Sequence, residues 1–457
     1  MQLPPEIFKA YDIRGIVDRT LTAPIVREIG RAIGSLARER ARDTIVVGRD
    51  GRLSGPSLVA ALADGIRATG THVIDIGMVV TPMTYFATHH LATGCSVMVT
   101  GSHNPPDYNG LKIVVDEDTL SGADIQALRK RIEAGRFTEG AGTYRALDIG
   151  AAYLARISGD VKLARTMRIA VDCGNGVAGA YAPDLYRALG CEVVEMFCEV
   201  DGRFPNHHPD PSQPANLRDL TARLRRGDCD LGLAFDGDGD RLGVVTPGGE
   251  VIFPDRQLML FAADLLQRAP GATIIYDVKS TRNLKPWIVR HGGVPLLWKT
   301  GHSLIKSKMK ETGAALAGEM SGHTFFGERW YGFDDGLYAG ARLLEIVSRA
   351  PDAAKVLTAL PDTLSTPELN VACAEGEPHA LIAQMQETAQ FPGAEDVIKI
   401  DGLRVEYKDG FGLARASNTT PVIVLRFEAE DPAALARIQG EFRRVLSAAK
   451  PGVTLPF

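Results

Sequence analysis

The chain lacks any uninterrupted apolar stretch of ~18 residues, so no segment reads as a membrane-spanning helix. It also lacks an excess of charge of either sign. Its 51 Lys and Arg against 56 Asp and Glu leave a net charge of −5. Nothing in that balance argues for nucleic acid or an anionic membrane surface, and any phosphate must meet a local cluster of cations. Cysteine is sparse. Cys95, Cys173, Cys191, Cys198, Cys229 and Cys373 form no CxxC pair and none stands near a His at zinc spacing. Buried, reduced thiols are therefore expected rather than a disulfide framework. The opening residues, MQLPPEIFKAYDIRG, lack the apolar stretch of a signal peptide, so a cytoplasmic location is expected. What remains is an ordinary globular composition, 45% apolar and 23% charged. The 457 residues suggest about three domains, or four smaller ones.

One arrangement recurs three times. An apolar strand ends at an Asp, in TIVVGRD (Asp50), RIAVDCG (Asp172) and TIIYDVK (Asp277). A helix-like stretch follows. In the first copy, GPSLVAALADGIRATG, Leu58, Leu62 and Ile66 share one face, and Ser54 and Pro56 supply start signals. A second strand comes next (HVIDIG, EVVEMF, VPLLWK), and after another helical stretch a third (CSVMVTG, DLGLAFDG, AALAGEM). Alternating strands and helices argue for βαβ units. The Asp positions lie 122 and 105 residues apart, a domain-sized period. From about residue 363 the pattern changes to strands around loops and then the amphipathic DPAALARIQGEFRRVLSAA, which predicts a small α+β domain. Pro361, Thr363, Ser365 and Pro367 mark the linker. The expected domains are 1–147, 148–250, 251–362 and 363–457.

Each third strand runs into a polar, Gly-containing loop, the place where open α/β sheets bind ligands. In TGSHNPPDYNGLK, Ser102 leaves a buried strand beside Gly101, which lets a bulky group approach the backbone. A phosphorylated serine here would carry about −1.5 to −2 charges, although the loop alone also reads as an ordinary Ser/Asn turn. In DGDGDR, Asp236, Asp238 and Asp240 alternate with glycines and converge easily, a density of oxygen ligands that suits Mg²⁺. A calcium-binding EF-hand is excluded, because Arg241 and Pro247 stand where that loop needs Gly and Glu. In GEMSGH, Glu319 and Ser321 can hydrogen-bond hydroxyls, as a polar turn also could. In RASNTTP, Arg415 offers a planar fork for phosphate, with Ser417, Asn418, Thr419 and Thr420 adding donors. A solvated hairpin would explain the same residues. Lys9, Arg14, Lys112, Arg241, Lys279, Lys299, His302 and Lys306 are further cations and bases, and KTGHSLIKSKM has the look of a helix start.

Together the loops resemble those of the α-D-phosphohexomutases, in the bacterial phosphomannomutase/phosphoglucomutase branch, and the resemblance runs from KAYDIRG to RASNTTP. It implies three similar mixed-sheet α/β/α domains plus a C-terminal α+β domain around a central cleft. It implies that Ser102 is a phosphoserine and that Mg²⁺ bridges Asp236, Asp238, Asp240 and the Ser102 phosphate. Glu319 and Ser321 would bind sugar hydroxyls, and Arg415, Ser417, Asn418 and Thr419 the distal phosphate. Tyr11, Arg14, Lys112, Arg241, Lys279, His302 and His323 match other active-site positions, with Lys112, His302 and His323 as candidate acid/base or oxyanion groups. The implied activity interconverts hexose 1-phosphate and hexose 6-phosphate, for mannose and glucose, through a 1,6-bisphosphate that also serves as activator. The expected enzyme is a monomer with small phosphosugars as partners. Its rivals are an aspartyl-phosphate phosphatase using Asp236, a non-catalytic sugar-phosphate sensor and a glucosamine phosphate mutase.

Overall fold

A computed structural model describes residues 3–418 and 420–457. The repeated strands form as expected. In the first copy they are Thr44–Arg49, His72–Met78 and Ser96–Val99. In the second they are Arg168–Asp172, Glu192–Met196 and Leu231–Phe235, and in the third Thr273–Asp277, Val294–Trp298 and Leu316–Gly318. The first strand of each copy lies between the other two and runs parallel to both. Each third strand then pairs antiparallel with the next strand in the chain: Tyr108–Val115, Leu242–Val245 or Thr324–Phe326. The three sheets are thus mixed, and each chemistry-bearing loop links two neighbouring antiparallel strands. A fourth, antiparallel sheet contains Leu403–Tyr407, Gly410–Ala416 and Val422–Ala429, with the helix Pro432–Ala449 packed on it.

Local physics accounts for these elements. The helix Gly55–Arg67 buries Leu58, Leu62 and Ile66, spaced one turn apart, and carries a Pro in its first turn. A fully buried aliphatic of this kind contributes about 1.5–3 kcal/mol, so a polar residue at Leu62 would undo the packing. Ser54 does not cap this helix with its side chain. Its Oγ instead accepts from Asn109 Nδ2 at 2.9 Å, across to the strand after the serine loop. All six cysteines are free, but Cys198 and Cys373 are only half-buried. No described helix is long and apolar enough to cross a membrane.

The first three domains share one apolar core that runs through Met83 and Phe86, Tyr153, and then Phe261, Trp330 and Tyr338. The fourth has a core of its own around Phe427, Ile438 and Phe442. It meets the third through a small patch of Val278, Phe411 and Leu413 and through arginines that reach backbone carbonyls, as Arg404 does to Val278 and Ser280. The stretch expected as linker is partly sheet. Leu364–Ser365 pairs with Val422–Ala429, so the unpaired connection narrows to residues 361–363.

Candidate active site

The strand-end aspartates that marked the repeat hold the loops. Asp50 Oδ2 accepts from Thr100 Oγ1 (2.8 Å) and the Gly101 N–H (3.1 Å). Asp277 likewise takes the Met320 N–H (3.1 Å), within the GEMSGH loop. Asp172 departs from this pattern and binds the Gly174 N–H and His207. The serine loop and the aspartate loop then meet at close range. A Cβ at Gly237 would lie 2.4 Å from the Ser102 carbonyl oxygen, so only glycine permits the approach. Ser102 is 2% exposed, and its Oγ lies 3.1 Å from Asp236 Oδ2 and 3.1 Å from His103 Nδ1.

Asp236, Asp238 and Asp240 are fully buried, with carboxylate oxygens within 4.8 Å of one another. Asp238 Oδ2 accepts from Lys112 Nζ (2.8 Å), Thr81 Oγ1 (2.5 Å) and Thr100 Oγ1 (3.2 Å), and Asp240 Oδ2 accepts from Lys112 (2.5 Å). The other oxygens, Oδ1 of Asp238 and Oδ1 of Asp240, have no protein hydrogen bond. Burial, then the charges of Asp238 and Asp240, push the Asp236 carboxyl well above the usual carboxylate range. A divalent cation would relieve that repulsion and meet the orphaned oxygens, so the residues fit a hard metal ion.

The third domain supplies the neighbouring wall. Arg241 Nε donates to His323 Nε2 (3.1 Å), whose Nδ1 faces Asp334 Oδ2 at 3.0 Å. Asp334 is paired in turn with Lys306 Nζ at 3.0 Å. Asp240, His323 and Asp334 also cluster closely enough to hold a metal, but Lys306 and Arg241 already supply cations there. His302 is buried, 5.7 Å ring to ring from His323, and its Nδ1 has no protein partner. Burial, reinforced by Lys306, pulls its pKa well below the ordinary histidine value, which favours the neutral imidazole. Glu319 takes the Gly301 N–H on Oε1 and Ser321 Oγ on Oε2 (3.2 Å), and burial raises its pKa.

The expected phosphate-binding cations are already engaged. Arg415 forks onto Asp401 (3.1 and 3.4 Å), and Lys279 pairs with Glu368 (2.9 Å). Arg14 bridges Asp12 and Asn104, each at 2.5 Å. Asn418 Nδ2 donates to Tyr11 Oη, which donates to the Thr300 carbonyl (2.6 Å). Thr419 lies outside the described residues.

Ser102, Lys112, Tyr11, Arg14, Arg241, Lys279, His302, Glu319, Ser321, His323, Arg415, Ser417 and Asn418 all line one cavity of about 520 Å³. The three aspartates sit behind its wall. Sequence reasoning missed the partners Asp401, Asp334 and Glu368, along with Thr81, Thr100 and Arg52. The Asp pair in GFDDG was a faint signal for Asp334, whereas the others look like ordinary polar residues.

Family models match along almost the whole chain. The alpha/beta/alpha domains I, II and III of phosphoglucomutase/phosphomannomutase match residues 5–139, 151–249 and 253–364, and the C-terminal domain matches 368–445. The chain is 58% identical over 444 residues to a phosphoglucomutase of Neisseria gonorrhoeae, covering 96% of each. It is 55% identical over 456 residues to a phosphomannomutase/phosphoglucomutase of Pseudomonas aeruginosa, covering 100% of this chain and 98% of that one. The crystal structure of a phosphoglucomutase/phosphomannomutase family protein from Burkholderia thailandensis superposes with a TM-score of 0.95 at 58% identity, each chain covered in full. With this cavity, this aspartate cluster and these relatives, the chain belongs to the bacterial phosphomannomutase/phosphoglucomutase branch of the α-D-phosphohexomutase family.

Proposed function

We propose that this enzyme interconverts the 1- and 6-phosphates of both mannose and glucose through a phosphoserine at Ser102. The observation that carries the reading is Ser102 Oγ, on the wall of the cavity, 3.1 Å from a carboxylate of the buried aspartate cluster. Phosphoserine 102 passes its phosphoryl group to the free hydroxyl of the bound hexose phosphate, and a 1,6-bisphosphate forms. The bisphosphate turns by half a rotation and returns its other phosphoryl group to the Ser102 oxygen. Bisphosphate that escapes leaves the serine bare, so added 1,6-bisphosphate acts as activator. Asp236, Asp238 and Asp240 would hold Mg²⁺, which would supply positive charge against the transferring phosphoryl oxygens. His302, whose Nδ1 has no protein partner, serves in this reading as the group that accepts the proton of the attacking hydroxyl. Arg415 and Lys279 exchange Asp401 and Glu368 for the non-reacting phosphate.

Half a rotation that exchanges the C1 and C6 ends also exchanges O3 with O4. A carboxylate that grips this pair serves both poses, and Glu319 has that role here. Mannose and glucose share O3 and O4 and differ at C2, so a site reading this pair accepts both. The test combines mass spectrometry of the purified protein with a panel of mannose, glucose and glucosamine 1-phosphates under a trace of bisphosphate. Phosphate on Ser102 and similar efficiency with mannose and glucose are expected. A phosphoaspartate in its place, or a large preference for one of the two sugars, overturns the reading.

A further inference from the structure

Arg52 does not line the cavity. It is 1% exposed, in the turn between the strand Thr44–Arg49 and the helix Gly55–Arg67. Its guanidinium uses every donor it has. Nε donates to Asp50 Oδ2 (3.2 Å), Nη1 to the carbonyls of Pro105 (2.5 Å) and Tyr108 (2.9 Å), and Nη2 to those of Ser102 (2.9 Å) and Asn104 (2.6 Å). Four N–H groups thus meet the serine loop, and the fifth ties the same plane to Asp50. Gly101 admits this close approach, since a Cβ there would lie 2.4 Å from the guanidinium carbon. The second domain closes the other side. The Phe204 ring stands 5.2 Å from the guanidinium, and the Gly202 backbone presses on Gly51 and Arg52.

The loop needs such a clamp. Ser102 has φ +48°, left-handed backbone that an L-residue adopts only against steric strain. The same conformation holds Oγ near Asp236. Carbonyls turned inward, away from water, also need donors.

We infer that Arg52 is a positioning residue for the phosphoryl-transfer step: through four carbonyls it fixes the backbone that aims Ser102 at the cavity and at the aspartate loop. The inference rests on the reading of Ser102 as the phosphoryl carrier. Lysine, with three donors on one point, cannot span the four carbonyls, so charge alone does not replace the fork.

The test is Arg52→Lys, read by steady-state kinetics and by amide hydrogen exchange of the wild type and the variant. A loss of about 100-fold in kcat with KM nearly unchanged is expected, since a displaced reacting group costs that much. Exchange in residues 101–108 should quicken while Thr44–Arg49 and Leu231–Phe235 keep their protection. A kcat close to wild type, or exchange that quickens throughout the first domain, overturns the inference, the latter because Arg52 would then be merely structural. Phe204→Leu removes the ring and leaves the five hydrogen bonds. It should give a smaller loss in kcat with the same local exchange signature, and it decides the matter alone if Arg52→Lys does not fold. No change in either measure with Phe204→Leu then overturns the inference. Absence of phosphate on Ser102 in the wild-type protein would overturn the Ser102 reading, whereas the exchange experiment needs no turnover and still decides on Arg52.

Discussion

Lys112→Met removes an ammonium that bridges two buried carboxylates and keeps the length of the side chain. Lys112 is 3% exposed, with Nζ 2.8 Å from Asp238 and 2.5 Å from Asp240. Breaking a buried pair from one side costs about 3–5 kcal/mol, because the remaining charges stay desolvated and uncompensated. Here the loss leaves three carboxylates within 4.8 Å of one another, with Arg241 3.8 Å from Asp236 as the nearby cation. A unit of 150–250 residues moves by about 2–4 °C per kcal/mol and a larger one by less, so in EDTA the transition of the three domains that share a core should fall by several degrees, at most about 20 °C. Mg²⁺ should recover much of this. A ligand at 100 times its Kd stabilises by about 2.7 kcal/mol, and the variant's carboxylates no longer share their charge with an ammonium. The assay is scanning calorimetry of both proteins with EDTA and with excess Mg²⁺. The variant should show the larger Mg²⁺-induced rise, along with nearly complete loss of turnover. Equal rises in both proteins would mean that the cation does not sit at these aspartates, and the reasoning would fail.

Arg415→Ala should raise KM and increase escape of 1,6-bisphosphate, since a lost bidentate contact of about 1.5–3 kcal/mol is roughly 10- to 150-fold in affinity. Released bisphosphate measured alongside product checks this, and small-angle scattering should show ligand-dependent compaction of wild type, as the fourth domain has its own core. Asp335 offers a pH test. Burial raises its carboxyl to about 7, while its side chain caps the helix Gly336–Val347 and accepts from Tyr153. A raised carboxyl favours the folded state below its unfolded value, and this contribution is lost as pH rises through about 7. At pH 5.5, some 1.5 units below, the contribution is about 2 kcal/mol, and at pH 8 it is nearly gone. Asp335→Asn, which keeps the acceptor, should therefore compare more favourably with wild type at pH 8 than at pH 5.5, and melting curves at the two values measure the difference.

The sequence by itself determined the repeated α/β units, the changed fourth domain and many of the polar residues that line the cavity. Strands and helices announce themselves through local periodicity, and loops such as TGSHNP and DGDGDR combine glycine with functional groups in a way few turns do. Leu58, Leu62 and Ile66 were legible because a helix places them on one face whatever else the chain does. Tertiary structure alone decided the partners. Arg52 carries no distinguishing signal in RDGRLSG, and only the return of residues 102–108 to the same spot gives four of its five donors their acceptors. Asp401 and Glu368 acquire meaning only beside Arg415 and Lys279. Ser54 carries a capping signal in the sequence, yet its Oγ goes to Asn109, 55 positions away. The linker prolines and threonines likewise marked a boundary without showing that Leu364–Ser365 would join the fourth sheet. A side chain's propensity is local, but its hydrogen bonds, burial and charge compensation depend on groups far along the chain, which only the folded packing brings within 3 Å.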